Sequence, residues 1–516
     1  MMNTLREKSI LYGPALLSGA LVALAFPAYD FYLLAWIGFV PLLLSLGTRT
    51  RKEAFLTGYV FGITYFFGTL YWIYHSINVY GGVPFLASVA VVFLLCLYLG
   101  LYPAVFSLVY LSVVRETKLP SLLIAPLGWV VLEYVRSYAL TGFPWASIGY
   151  SQYRFLHMVQ IADITGIYGI SFLVLAVNGA VVDIVLIRRR LREMPLYPVG
   201  ITAVGLLAVA LAVIGSFGYG AWRLGQERPG ATFQAAVIQG SIDQDKKWEP
   251  AFQKEVLDVY YNLSQKAARE YGSRLIVWPE TAIPFLFNED TARSEKLTEM
   301  QKSLDAYLLF GSVMLREKTK DKTLMTNSAL LLDPHGKLVY KYDKIHLVPF
   351  GEYVPLKSIL FFVDKMVAGI GDYVPGDSYL RGGTDFGSFG TLICYEIVFP
   401  GLVRKFFVKG GDFMVTITND AWFGRTIGPY QHFSMAVFRA IENRKPVIRA
   451  ANTGISGYID SNGRIQATTD LFSRQILPGR VKTDSTMTFY TKYGDIFSYL
   501  CIVGLIIIIL NIKIRR

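Results

Sequence analysis

Apolar runs near the roughly 17 to 25 residues that a bilayer-crossing helix needs dominate this chain. Seven come first, at Ile10 to Phe26, Phe31 to Leu46, Phe55 to Tyr74, Phe85 to Val113, Leu119 to Val135, Ile167 to Ile187 and Pro198 to Phe217. An eighth follows at Ile496 to Ile512. The second and fifth are short by this criterion, and Glu133 lies near the end of the fifth. Between the seventh and eighth the sequence turns polar. This predicts a multi-pass α-helical membrane domain of about eight transmembrane helices over residues 1–219 and 496–516, interrupted by a separately folded domain over 220–495. A hydrophobic content of 53%, only 17% charged residues and a mean hydropathy of +0.40 exclude an ordinary soluble enzyme.

The net charge of +12 does not point to nucleic acid once the basic residues are located. Arg6 and Lys8 precede the first run, Arg49, Arg51 and Lys52 follow the second, Arg115 and Lys118 the fourth, and Arg188, Arg189, Arg190 and Arg192 the sixth. Cytoplasmic loops collect such residues, whereas the loop from Ser76 to Val83 has none. The alternation predicts cytoplasmic termini, with Lys513, Arg515 and Arg516 in the tail, and residues from about 220 to 495 on the opposite side. A retained first anchor fits this pattern better than a cleaved signal. The connection from Arg136 to Thr165 is aromatic, with Tyr138, Phe143, Trp145, Tyr150, Tyr153 and Phe155. It reads as an interfacial belt or as a floor over which lipid reaches the outer domain.

From Thr232 short β-rich runs alternate with amphipathic helices, the pattern of an α/β layered domain. Strands are expected at Phe233 to Gln239, Leu275 to Trp278, Tyr307 to Met314, Ser328 to Leu332, Leu338 to Tyr342, Phe413 to Thr418 and Val447 to Ala450. A hairpin is expected around Ser461-Asn462-Gly463. A helix opened by Pro250 and closed by Gly272 carries Phe252, Val256, Val259, Tyr260 and Leu263 on one face, and another runs through His432 to Asn443. Glu280, Lys344 and Cys394 each directly follow a strand-like run. Open α/β sheets place their chemistry at such strand ends.

Of three cysteines, Cys96 and Cys501 fall in apolar runs and leave Cys394 without a disulfide partner. A thiol, a carboxylate and an ammonium together suit acyl transfer: one attacks, one moves protons and one steadies the oxyanion. No His or Cys pair has metal-ligand spacing and no glycine-rich phosphate loop occurs, so neither metal nor cofactor is expected. Arg439 and Glu442, at i and i+3, read as a structural ion pair, and His432 is set aside with them.

Val277-Trp278-Pro279-Glu280, Tyr342-Asp343-Lys344 with Pro349-Phe350-Gly351-Glu352, and Ile393-Cys394-Tyr395-Glu396 together resemble the carbon-nitrogen hydrolase (nitrilase) superfamily. The resemblance implies an αββα sandwich and a Glu-Lys-Cys triad. Seven leading spans and one trailing span resemble the bacterial apolipoprotein N-acyltransferase family. Membership would make Cys394 the nucleophile, Glu280 the general base and acid, and Lys344 the oxyanion cation, aided by the Tyr395 amide. Trp248, Glu352, Tyr395 and Glu396 match the family's supporting or substrate-binding positions. The Gly142-Phe143-Pro144-Trp145 loop is a further match. The implied donor is a phospholipid of the phosphatidylethanolamine kind, the acceptor a diacylglyceryl-cysteine apolipoprotein, and the location the bacterial inner membrane with the catalytic domain periplasmic. Two other readings remain: a tethered amidase or nitrilase, and a transporter with a ligand-binding outer domain. The apolar segment Ile359 to Ile370 reads either as core or as a mobile lid over the site.

Overall fold

The computed structural model describes residues 2–189, 199–244, 247–320, 322–353 and 372–514. It separates into two compact units, one of residues 1–78, 83–226 and 493–516, the other of residues 79–82 and 227–492. The expected lid, Ile359 to Ile370, lies outside the described residues.

In the first unit all eight apolar stretches form helix: Met2–Leu24, Tyr32–Trp36 with Val40–Leu46, Arg51–Leu70, Phe85–Thr117, Ser121–Arg136, Ile167–Arg189, Val199–Gly225 and Ile496–Ile514. Among the described residues four are long and apolar enough to cross a membrane, namely Phe85–Thr117, Ile167–Arg188, Gly200–Gly225 and Ile496–Ile514. Arg51–Leu70 with Ile73–Tyr80 makes a fifth candidate, bent by 60°. The second stretch breaks into two short helices, and the fifth stops after 16 residues. These are the two runs that are short in the sequence.

Lipid offers no hydrophobic drive between helices, so close packing of small residues matters. A Cβ on Gly62 would lie 2.8 Å from the Gly100 Cα, which brings helices Arg51–Leu70 and Phe85–Thr117 into direct backbone contact. The buried acids of this unit are tied to structure. Asp183 accepts from the Ser121 and Leu122 amides, both at 3.0 Å, capping helix Ser121–Arg136. Glu133 accepts from Trp129 Nε1 and the Ile148 amide, both at 2.8 Å. Neither carboxylate stands as an unpaired transport site.

The aromatic connection departs from an exposed belt. Trp145 and Tyr150 are buried, and Trp145 packs on Trp72 with ring centroids 5.0 Å apart. Arg136 causes this inward fold, since its guanidinium donates to the carbonyls of Phe143 and Trp145 and must bring them inside to be satisfied. Tyr138 does reach the surface, at 55% exposure.

The second unit is a two-sheet sandwich. Its first sheet contains β1 (Thr232–Gln239), β2 (Leu275–Val277), β3 (Tyr307–Lys318), β4 (Thr323–Leu332), β5 (Leu338–Asp343) and β6 (Asp372–Tyr373). The second contains β7 (Arg381–Thr384), β8 (Gly387–Ile393), β9 (Phe413–Thr418), β10 (Val447–Ala451), β11 (Gly457–Ile459) and β12 (Ile465–Thr468). β13 (Gln475–Lys482) returns to the first sheet and pairs antiparallel with β1. At the centre of each sheet three strands are parallel: β1, β2 and β3 in one, β8, β9 and β10 in the other. The rings of Phe233, Phe386, Phe389 and Phe413 stack between the sheets.

Helices cover the outer faces. α1 (Gln253–Tyr271) starts after Pro250, later than expected, and ends at Gly272 in the left-handed region. Its Val256, Tyr260 and Ala267 pack with Ala236, Ile238, Ile276 and Trp278 of the first sheet, joined by α2 (Thr291–Lys302) through Leu297. α3 (Pro400–Phe407) and α4 (Gly428–Asn443) serve the second sheet. This is the αββα arrangement.

Candidate active site

Parallel strands end on one edge of a sheet, and the functional side chains follow those ends. β2 leads into Trp278-Pro279-Glu280, β8 into Cys394 and β9 into Asn419-Asp420. β5 is antiparallel to β4, which is antiparallel to β3, so β5 runs with β3 and delivers Lys344 to the same edge.

The turn at Glu280 is tight. β3 approaches so closely that a Cβ on Gly311 would lie 2.4 Å from the Thr281 nitrogen and 2.6 Å from the Glu280 Cα. Lys247, fully buried, donates to Thr281 Oγ1 at 2.8 Å and to the Glu280 carbonyl at 3.3 Å. The Glu280 carboxylate then accepts from Asn327 Nδ2 at 2.7 Å and from the Asn419 amide at 2.9 Å. Lys344 Nζ stands 3.5 Å from Glu280 Oε1 and 2.9 Å from Glu352 Oε2. Glu352 also accepts from Asn327 Nδ2 at 2.9 Å and from the Val348 amide at 2.8 Å.

Cys394 is 7% exposed and has a φ of 53°, unusual for a residue with a Cβ. Burial pushes its thiol pKa up, the Glu280 carboxylate pushes it further, and Lys344 opposes both. The resting group is therefore a thiol. Burial works against the Lys344 charge, yet the Glu352 and Glu280 carboxylates outweigh it and hold the ammonium protonated well above its ordinary range. A protonated thiol beside a carboxylate and a fixed cation can attack a carbonyl if its proton leaves as the bond forms.

Glu396 is completely buried and ties the Lys344 loop to the Cys394 turn. One oxygen accepts from Tyr342 Oη and the Ile345 amide, both at 2.7 Å, and from the His346 amide at 3.1 Å. The other accepts from the Ile393 amide at 2.8 Å. Tyr395 is buried and edge-on to Phe399, with centroids 5.0 Å apart. Trp248 lies half-buried in the loop after β1, next to Lys247. Among the described residues no group of His, Cys, Asp and Glu has the makings of a metal site. The Arg439-Glu442 pair is present at 2.8 Å, fully buried.

Four residues that the sequence reading passed over build the site. Asn327 bridges the two carboxylates, and its signal was a polar Thr326-Asn327-Ser328 run inside an apolar strand. Asn419 holds Glu280 from a strand end. Lys247 clamps the Glu280 turn. His432, left out of the chemistry on sequence, has Nε2 3.2 Å from the Cys394 carbonyl oxygen.

Comparison with known proteins covers both units. The family described as "Apolipoprotein N-acyltransferase N-terminal domain" matches residues 18–180, and "Carbon-nitrogen hydrolase" matches residues 234–488. Apolipoprotein N-acyltransferase of Geobacter metallireducens is 47% identical over 96% of this chain and 93% of its own. The protein of that name from Vibrio cholerae is 33% identical over 93% of each. Nit3 of Saccharomyces cerevisiae, a solved member of the nitrilase superfamily, is 20% identical with a TM-score of 0.38, covering 49% of this chain and 90% of its own. Identity at this level along nearly the whole length, through the apolar helices and the sandwich alike, makes the chain a member of the apolipoprotein N-acyltransferase family.

Proposed function

We propose that the chain moves a fatty acyl group from a membrane phospholipid to the N-terminal amine of a diacylglyceryl-cysteine apolipoprotein, through a thioester on Cys394. The observation that carries this is the Glu280-Lys344-Glu352 cluster around the buried Cys394, in a chain whose full-length relatives are acyltransferases of that name.

In the first half-reaction Cys394 Sγ attacks the ester carbonyl while its proton passes to Glu280. Lys344 Nζ and the Tyr395 amide receive the oxyanion. As the tetrahedral species collapses, the C-O bond breaks and Glu280 returns the proton to the departing lysophospholipid oxygen. In the second half the acceptor amine attacks the thioester and Glu280 takes the amine proton. The C-S bond breaks, the thiolate recovers that proton, and an amide is released. Glu352 shares Lys344 with Glu280 and Asn327 bridges the two carboxylates, so that the cation is not held by the base alone. Glu396 fixes the loop that carries Lys344, and Trp248 and Tyr395 are support or substrate contacts.

The domain assignment, membrane residues 1–219 and 496–516 around a catalytic 220–495, belongs to this proposal. So do the phosphatidylethanolamine-like donor and the inner-membrane location, which follow from the family, and the periplasmic side for the catalytic part and the cytoplasmic termini, which the alternation of loop charge supports.

The test is incubation of the purified chain with phospholipid labelled in its acyl chain. A hydroxylamine-labile adduct should form on the native protein and be missing in Cys394→Ala. A diacylglyceryl-cysteine peptide should discharge it as peptide amide. Release as free fatty acid in the presence of that peptide would favour the amidase or nitrilase reading, and no adduct on the native chain would refute the thioester.

A further inference from the structure

His432 sits in α4, completely buried, with Asp420 and Arg449, themselves buried, on one side and the backbone of the nucleophile on the other. Its Nδ1 is 2.9 Å from Asp420 Oδ1 and 2.9 Å from an Arg449 nitrogen. Arg449 also donates to Asp420 Oδ2 at 2.9 Å, and Thr418 Oγ1 donates to Asp420 Oδ1 at 2.8 Å. On the far side, Nε2 meets the Cys394 carbonyl oxygen at 3.2 Å.

The proton count on this ring follows from its neighbours. A carbonyl only accepts, so the contact with Cys394 requires a hydrogen on Nε2. Asp420 only accepts and calls for a hydrogen on Nδ1, whereas the Arg449 guanidinium only donates and calls for a lone pair there, so these two neighbours compete for Nδ1 and the Cys394 carbonyl decides Nε2. Burial first, and then the Arg449 charge, push the ring away from the imidazolium, with Asp420 opposing them. Were Nδ1 protonated as well, Nε2 would still donate. The contact to Cys394 survives both forms.

The consequence lies across the peptide bond. The Cys394-Tyr395 peptide bond is trans. In a trans peptide the N-H points opposite to the C=O. A donor that pins the Cys394 carbonyl on the α4 side therefore turns the Tyr395 N-H away from α4. The same donor polarises the peptide and strengthens that N-H. It also holds a peptide whose first residue has the unfavourable φ of 53°.

We propose that His432 is a positioning residue for acyl transfer: by donating from Nε2 to the Cys394 carbonyl it orients the Cys394-Tyr395 peptide, so that the Tyr395 amide receives the oxyanion. This rests on the reading of Cys394 as nucleophile and the Tyr395 amide as oxyanion donor. Asp420 and Arg449 act through the ring, by fixing its orientation and proton.

Two substitutions of similar polarity separate the contact from mere filling. Glutamine places an N-H near the Nε2 position, while asparagine reaches only as far as Nδ1. The experiment measures two rates on each variant: thioester formation from saturating labelled phospholipid, and alkylation of Cys394 by iodoacetamide. Alkylation forms no oxyanion, so it reports an intact thiol environment alone. His432→Asn should lose thioester formation by on the order of 100-fold, the scale of one oxyanion donor, with alkylation within about threefold of the native rate. His432→Gln should recover most of the loss. The proposal is overturned if His432→Asn acylates at the native rate, if both variants lose acylation equally, or if alkylation falls in parallel. Failure of the underlying reading shows separately, as a native chain that forms no adduct or a Cys394→Ala variant that still does.

Discussion

Lys344 Nζ is closer to Glu352 Oε2, at 2.9 Å, than to Glu280 Oε1, at 3.5 Å. The cation is thus held mainly by Glu352, and not by Glu280, the proposed base. With Glu352 neutralised, Lys344 would pair fully with Glu280 and lower its readiness to take a proton. Glu352→Gln should reduce kcat for acyl transfer by about 100-fold, within the range seen when general-base catalysis is impaired. KM for phospholipid should stay nearly constant. Steady-state kinetics against phospholipid concentration check this, and a rise in KM with kcat intact would reassign Glu352 to substrate binding.

Glu280 has two opposed effects on Cys394. Its charge disfavours the thiolate, while as the proposed base it would remove the thiol proton during attack. Glu280→Gln should therefore lower acyl transfer by roughly 10²- to 10⁴-fold and, at the same pH, raise the alkylation rate of Cys394 by iodoacetamide. In the native protein alkylation should climb with pH without levelling off near neutrality, because burial and Glu280 hold the thiol protonated. Parallel loss of both activities in Glu280→Gln would mean that the base acts on the resting thiol.

What the sequence made legible here is the set of groups that end strands. Glu280, Lys344 and Cys394 each follow an apolar run, and parallel β2 and β8 together with β5 carry them to common sheet edges by simple periodicity. Asn327 escaped because the expected strand began one residue later, at Ser328, whereas β4 begins at Thr323, and because a strand's period says which face a residue takes but not which hydrogen bonds it makes. β13 escaped for two reasons. Its partner is far away in sequence, Thr232 facing Lys482, and its Pro478-Gly479 pair reads as a turn. Pro478 is tolerated because β13 is the edge of its sheet. Trp145 and Tyr150 looked interfacial by composition, and only the carbonyls drawn in by Arg136 explain their burial.

Glu396 is buried among hydrogen-bond donors, and burial gives it a pH signature. Burial raises its pKa to about 6, against the backbone and Tyr342 bonds that lower it. The folded value exceeds the unfolded one, so the stability this raised value contributes is present below the ordinary glutamate pKa. It is lost as pH rises through about 6. Glu396→Gln would face at least one amide donor with its own N-H, at a cost of about 1 to 3 kcal/mol. The thermal midpoint in detergent should fall in the variant at every pH, and the native margin should be widest near pH 4 and narrow toward pH 7. A margin that widens with pH would show that the ionised form is the favoured one in the fold.

Gly311 sets the position of Glu280, the proposed base, from outside the reacting groups. It lies in β3, and its amide donates to the Pro279 carbonyl at 3.1 Å, so the strand backbone lies against the Glu280 turn. The Cβ of alanine there would meet the Thr281 nitrogen at 2.4 Å, the Glu280 Cα at 2.6 Å and the Pro279 oxygen at 2.7 Å, all of them backbone atoms. No flexible side chain is available to yield, so the turn itself must move. Overpacking of this kind costs about 1 to 3 kcal/mol, and a displacement near 1 Å costs about 100-fold in rate when a reacting group is misplaced. Gly311→Ala should therefore lower acyl transfer much more than it lowers the thermal midpoint. Gly383→Ala in β7 is the control, because a Cβ there meets nothing within 4 Å. It should leave both measurements near native. If Gly311→Ala transfers acyl groups at the native rate, the Glu280 turn has room to move and its tight seat does not govern the reaction.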